Sequence, residues 1–402
     1  MLLSNEFSLK QQFSIMKDYK NKQKKNILFY CPFIDRGGIT TTLIKYANFL
    51  SKKYEVKIFT ETTDENMLSK FQKKIKIYHP KQKFNLKSKL LKILHLRIEK
   101  DENDKDVNII RILKDIAVFW KLKSQINNNS VIFSMSDHFI PLVLNKLFIG
   151  AKIIIRTAGI LPNQFNKEEY KYMKGAFIKR FIIRFYKLAS LVITFSSQNV
   201  KYLSNLGINS CCIYNNFEKQ NLIKKFKKKK KLNIFFVGRF SYEKNVIFFL
   251  RNLKNYLNIN IHLVGDGDGE YMQKLRKESV GKKNIFFHGF VKKPFKKFLN
   301  KIDLLSINSK YDGTPNILGE AMSHSIPVLA PKNVGLANLF IGRDKYGYLY
   351  KSEDANSFKK KINLITKNYK EAFKKAKKGY ESISRFSEKN THFKLIEEIE
   401  KL

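Results

Sequence analysis

Residues 232–245 read LNIFFVGRFSYEKN, and this stretch decides the fold. Its first six residues are dense in Ile, Phe and Val, the composition of a buried strand, and Gly238 ends the run. From residue 246 to 257 the apolar spacing becomes helical, and residues 259–264 form a second strand closed by Gly265. Strand, glycine turn, helix and strand make the βαβ unit of a parallel sheet. Toward the C-terminus, strands are expected at 285–287, 303–307 and 327–330, with a helix at 317–323. Toward the N-terminus the same grammar occurs once before. Residues 26–31 (NILFYC) are a strand, 32–38 a loop, 39–52 a helix and 56–60 a strand. In that helix Leu43, Ala47 and Leu50 share a face. Further apolar runs at 131–133, 152–156 and 191–195 continue the series. The reading is an α/β chain of two doubly wound, Rossmann-like domains with parallel sheets facing across a cleft. The expected boundaries are a basic N-terminal extension at 1–25, a first domain at 26–217, a basic linker at 218–231, a second domain at 232–385 and a terminal segment at 386–402.

A chain of 402 residues with 43% hydrophobic side chains can bury two cores. Its charge is lopsided: 78 Lys and Arg against 34 Asp and Glu give a formal +44. Such a field attracts polyanions or an anionic membrane. Lysine is spread through the whole sequence, however, and most of the excess is read as compositional bias. The run at 224–231, KKFKKKKK, falls between the two series and reads as a solvated linker. The three cysteines, Cys31, Cys211 and Cys212, show no zinc spacing, which suits a reducing compartment. No apolar run reaches the ~18–20 residues that span a bilayer, and the N-terminus lacks a signal-peptide core. A cytoplasmic protein is expected. No zinc-finger or aromatic RNA-recognition motif supports nucleic acid as a partner.

Ligands of open α/β sheets bind beyond the carboxyl ends of the strands, so chemistry is sought in those loops. The first, Asp35-Arg36-Gly37-Gly38, is either a tight βα turn or a place where backbone N–H groups approach a phosphate or sugar. The second carries Arg239 and Lys244, two cations able to meet a diphosphate and stabilise charge as it leaves. The third, residues 311–322 (YDGTPNILGEAM), places Asp312 in a loop and Glu320 in the helix that follows. Two carboxylates so spaced can grip two ends of one polyhydroxylated ligand, and the helix start adds free N–H donors. Ala321 and Met322 beside Glu320 suggest that its carboxylate faces other protein. Gly265-Asp266-Gly267-Asp268-Gly269 contains an Asp-x-Asp and resembles a dinucleotide glycine fingerprint, but its spacing is wrong. In residues 84–100, FNLKSKLLKILHLRIEK, Leu90, Leu91, Leu94 and Ile98 make an apolar face with lysines nearer the other side. That helix either lies on an anionic leaflet or packs on the domain core.

Taken in order, the N-terminal glycine pair, the GR…EKN loop, LVGDGD, FHGF and DGTPNILGEAMSHSIPVLA resemble the retaining glycosyltransferases of family 4, with the GT-B fold. The likeness covers nearly all of the chain after residue 25. It implies a nucleotide-sugar donor, UDP- or GDP-linked, and no cofactor or metal. It implies that Glu320 binds the ribose hydroxyls, that Asp312 contacts the donor sugar, and that Arg239 and Lys244 pair with the diphosphate. Gly313, Thr314, Pro315 and Asn316, continued by Ile317 and Leu318, would lie along the sugar and diphosphate. Gly289, Phe290 and Val291 would line the base pocket, Gly265 would support the nucleotide pocket, and Gly37 and Gly38 would join the donor-binding set, their N–H groups near a phosphate or sugar. His138, which follows the strand at 131–133, is either a residue facing the donor sugar or an ordinary loop histidine. Arg156 and Thr157 could touch the acceptor or a phosphate. The family commonly has Glu where this chain has Asp312, which leaves the donor sugar open. Similar proteins return their last helix to the first domain. The implied acceptor is a growing surface glycan, as in lipopolysaccharide, capsule or a lipid-linked oligosaccharide, reached on the inner face of the plasma membrane. Two rival readings are a sugar-nucleotide epimerase of the same shape and a basic nucleic-acid-binding protein.

Overall fold

In the computed structural model, the described residues are 25–35, 37–79, 109–127, 129–135, 140–157, 183–267, 269–310, 312, 315–332 and 334–402, with side chains of the 109–123 helix described from 115 onward. They contain two large parallel sheets, as the two series of apolar runs require, and a short parallel pair of Phe33–Ile34 with Thr62–Thr63.

The first sheet is built from β1 (Asn26–Tyr30), α1 (Gly38–Leu50), β2 (Glu55–Phe59), β3 (Lys76–Tyr78), α2 (Ile109–Lys123), β4 (Ser130–Ser134), α3 (Ile140–Ile149), β5 (Lys152–Arg156), β6 (Leu191–Thr194) and β7 (Ser210–Cys212). Its strand order is β3-β2-β1-β4-β5-β6-β7. β1 is buried along its whole length, which is why it reads as an unbroken apolar run rather than an alternating one. The second sheet comprises β8 (Leu232–Val237), α4 (Val246–Leu253), β9 (Ile259–Val264), α5 (Gly269–Ser279), β10 (Ile285–Phe287), β11 (Leu304–Ser306), α6 (Asn316–Ser323), β12 (Val328–Pro331) and β13 (Tyr348–Tyr350). Its order is β10-β9-β8-β11-β12-β13. Both sheets therefore start in the middle, run to one edge, and reverse. The reversal falls between β1 and β4 in the first and between β8 and β11 in the second. This is the doubly wound order, and ligands of such sheets bind at the reversal.

Two compact units divide the chain at Ile155 and Arg156. Behind the second sheet lie α7 (Ala355–Lys367) and α8 (Tyr369–Ser382), followed by α9 (Glu388–Glu400). Burial first, and then the charge of Glu398 on α9, push the thiol of Cys211 up to about 12, opposed by Lys394 and Lys401; α9 and Cys211 belong to the same unit. Two apolar clusters fill the second unit, one on each face of its sheet. Phe235, Leu305 and Leu318 belong to the first, and Phe236, Phe249 and Leu263 to the second.

The basic run at 224–231 is not simply solvated. Lys224 is buried, and its Nζ lies 3.1 Å from Oδ1 of the fully buried Asp303; Lys229 reaches the same carboxylate at 2.7 Å. Asp303 also accepts from the backbone N–H of Asn233 at 2.9 Å. A lone carboxylate could not be buried there without such partners, and the lysine-rich segment supplies them. No helix among the described residues is long and apolar enough to cross a membrane. The amphipathic stretch at 84–100 and the extension at 1–24 lie outside the described residues.

Candidate functional site

The loops at the carboxyl ends of β8, β9, β10 and β11 are joined to one another. Gly238 donates to the carbonyl of Val264, Phe240 to that of Asp266, and Gly265 to that of Gly289, at 3.0, 2.6 and 2.8 Å. A Cβ on Gly267 would fall 2.2 Å from the Phe240 carbonyl oxygen, so a side chain there is excluded. Phe240, buried, holds the turn from beneath against Phe236 and Phe287. Because the N–H of Gly265 is committed to Gly289, Gly265 serves the site by permitting close approach. Its amide is not turned to a ligand.

Across the reversal of strand order, the loop after β8 meets the loop after β11. Lys244 Nζ donates to Asp312 Oδ2 at 2.6 Å, with both side chains partly buried. Asn245 follows in the left-handed conformation (φ 52°) and starts α4. Lys310 fastens the same two loops a second time. Its N–H donates to the Glu243 carbonyl, and its ammonium donates to the Tyr242 hydroxyl at 2.8 Å and pairs with Glu353 at 2.9 Å. Burial pulls the Lys310 ammonium down, but its bonds to Tyr242 and Glu353 outweigh that and shift it upward.

α6 begins after Pro315, which supplies no capping side chain. Leu318, Ala321 and Met322 fall on its inward arc at spacings of three and four, and Gly319 lets Phe217 pack against the helix backbone. With 318, 321 and 322 turned inward, residue 320 points away from the core, and its side chain is exposed. Glu320 lines a hollow of about 550 Å³ together with Gln220, Lys292, Lys293, Lys296 and His324. Neither Arg239 nor Lys244 lines that hollow. Leu318 is buried in the core, and its N–H is taken by the Pro315 carbonyl, so it acts as packing.

Asn316 carries a link that sequence reasoning missed. Arg156, at the end of β5, donates to Asn215 Oδ1, and Asn215 Nδ2 donates to Asn316 Oδ1 at 2.6 Å. Arg156 and Asn215 are both buried. These residues lie far apart in the chain, and nothing in their local patterns marks them as partners. Arg239 and Phe290 are exposed, and Val291 is packed partly against the core.

In the first unit, Thr40 closes the loop before α1. Its hydroxyl donates to Asp35 Oδ1 at 3.3 Å and accepts from the Asp35 N–H at 3.2 Å. Gly37 and Gly38 open the helix with no side-chain cap, which leaves its first N–H groups for another acceptor. Arg36, His138, Asp268, Gly313 and Thr314 lie outside the described residues. Among the described residues no group of three His, Cys, Asp or Glu stands close enough to hold a metal ion.

Comparison with known proteins agrees with this architecture. Residues 218–382 match the family Glycosyl transferases group 1. A glycosyltransferase of Methanocaldococcus jannaschii is 28% identical over 65% of this chain and 69% of its own length. The relative from Campylobacter jejuni, a diNAcBac-PP-undecaprenol-linked glycan α-1,4-N-acetyl-D-galactosaminyltransferase, is 26% identical over 84% of this chain and 88% of its own. Anabaena HepE, solved in complex with UDP-glucose, superposes with a TM-score of 0.74 at 16% identity, over 94% of this chain and all of its own. The two doubly wound sheets are those of the GT-B fold, and the family match across the second of them supports a GT-B glycosyltransferase.

Proposed function

We propose that the chain is a retaining glycosyltransferase of family 4, which moves a sugar from a nucleoside diphosphate donor to a hydroxyl of a lipid-linked or surface glycan. The observation that carries the reading is the Lys244–Asp312 pair across the strand-order reversal of the second sheet. A cation and a carboxylate there match the two needs of such a donor, one for its phosphates and one for its hydroxyls. UDP-glucose bound to HepE and the undecaprenol diphosphate substrate of the Campylobacter relative support donor and acceptor classes of this kind.

In the proposed reaction the acceptor oxygen bonds to the anomeric carbon while the bond from that carbon to the phosphate oxygen breaks. The acceptor's proton passes to the departing phosphate. Lys244 and Arg239 stabilise the charge that develops on the diphosphate, without any metal or cofactor. Asp312 orients the sugar, and Glu320 in its hollow takes the ribose hydroxyls. Asp312 is shorter than Glu by one methylene, so the sugar must sit closer to the loop.

The test is a thermal-shift series with UDP, GDP and their sugars, on the wild type and on Glu320→Ala. One nucleotide family should stabilise the wild type, by about 2.7 kcal/mol at a hundredfold excess over Kd, and the variant less. No shift from any nucleotide would overturn the donor site. Product anomers identified by NMR then decide retention against inversion.

A further inference from the structure

The hydrogen-bonded series Arg156, Asn215, Asn316 has a direction, and its first member sets it. A guanidinium offers only N–H donors and cannot accept. The end of Asn215 that meets Arg156 Nη2 is therefore its carbonyl oxygen, Oδ1. Nδ2 of Asn215 then lies on the other side, where it donates to Asn316 Oδ1 at 2.6 Å. That bond turns the oxygen of Asn316 toward Asn215 and its Nδ2 away. Reversing either amide would set N–H against N–H. Arg156 and Asn215 are 6 and 8% exposed, so water could not relieve the clash.

Asn316 is the first residue of α6 and only partly buried. Among the described residues nothing accepts from its Nδ2. The helix opens without a side-chain cap, and four residues earlier stands Asp312, the partner of Lys244. Charge passes along the series together with direction. A bond from a cation polarises the amide that accepts it, and each bonded amide polarises the next. Nδ2 of Asn316 is thus a strengthened donor, best matched to an anionic oxygen.

We propose that Arg156 and Asn215 are positioning residues for the donor: they hold the Asn316 carboxamide with Nδ2 toward a phosphate oxygen of the nucleoside diphosphate, and neither touches the ligand. The proposal rests on the donor reading above and adds to it two residues, at the end of β5 and in the segment after β7, that act only through Asn316.

A strut that merely held the fold would be indifferent to which way Asn316 faces, and Asn215→Asp separates the two roles. The substituted side chain has the same shape, and its carboxylate accepts from Arg156 and from Asn316 Nδ2 alike. The link survives, the melting temperature is kept or raised, and Asn316 turns its oxygen to the phosphate. Titration calorimetry of the full chain with UDP, GDP, uridine and guanosine reads the outcome. The diphosphate that binds the wild type should bind Asn215→Asp roughly ten- to hundredfold more weakly, the range of a lost hydrogen bond to a charged group. The matching nucleoside should bind both proteins alike. Arg156→Gln, whose amide can present either end, should weaken the diphosphate as well. Asn316→Ala should lose a similar factor, and adding Asn215→Asp to it should cost nothing further. Equal diphosphate affinity in wild type and Asn215→Asp, additive losses in the double variant, or a melting temperature that falls in step with affinity overturns the proposal and leaves the donor reading standing. A wild type that binds neither UDP nor GDP overturns both.

Discussion

A Cβ on Gly265 would lie 1.9 Å from the carbonyl oxygen of Gly238, so the turns that close β9 and β8 touch backbone to backbone. Both glycines also hold positive φ, 143° and 151°. Gly265→Ala should therefore lose more than the ~1 kcal/mol of a simple glycine replacement and should abolish nucleotide-induced stabilisation. Gly269 opens α5 with nothing within 4 Å of its Cβ position, so Gly269→Ala should be neutral or slightly stabilising. Paired melting curves with and without nucleotide check both.

Lys244 and Asp312 meet in a partly solvated loop, where an ion pair contributes ~1 kcal/mol or less. Lys244→Met should therefore leave the melting temperature nearly unchanged. Transfer should fall by roughly 10²–10³, the usual loss when a group that stabilises developing charge is removed. A drop in kcat proportional to a drop in stability would count against the assigned role.

His262 and His288 give the second unit a dependence on acid. Their ring nitrogens are 2.9 Å apart, and His262 is stacked between Phe235 and Phe286. Burial first, and the His288 charge second, push the His262 imidazole down from 6.5 to about 4. Its folded form resists protonation, so the unfolded chain binds the proton more readily. Stability is then full above pH 6.5 and falls as pH drops toward 4, by roughly 3 kcal/mol across that window. His262→Phe should flatten a plot of melting temperature against pH between those limits.

Asp303 is fully buried beneath Lys224 and Lys229. Asp303→Ala leaves a buried ammonium unpaired and should cost about 3–5 kcal/mol. Burial pulls Lys224 down, with Asp303 opposing it, so the variant's Lys224 should be easier to deprotonate. Replacing Asp303 and Lys224 together by Leu and Met should restore most of the loss, read by urea denaturation.

The strands and glycine turns were legible because a parallel sheet buried on both faces leaves continuous apolar runs, as at 26–30 and 232–237. β3, β7 and β13 escaped notice: Lys76–Tyr78 and Ser210–Cys212 hold no continuous run of Ile, Leu, Val or Phe, and Tyr348–Tyr350 sets a single leucine between two tyrosines, whereas the equally short Ile285–Phe287 is such a run. Arg239, Lys244, Asp312 and Glu320 could be selected as candidates from their places after strands. That Lys244 reaches Asp312, or that Asn215 joins Arg156 to Asn316, depends on residues 59–101 positions apart and follows from tertiary packing alone. Lys224 was misjudged because composition speaks for the average lysine in such a run, and a single buried acid claimed this one.

The mutual contact of the glycine turns constrains how recognition could diversify among proteins built this way. Where main chain abuts main chain, selection has no side chain to vary, so under the proposed donor reading a change of sugar or base would be written at the rim. Tyr242 and Phe290 project there, both more than half exposed. A library randomised at those two positions, with the turns held constant, is the economical route to a transferase of altered donor preference.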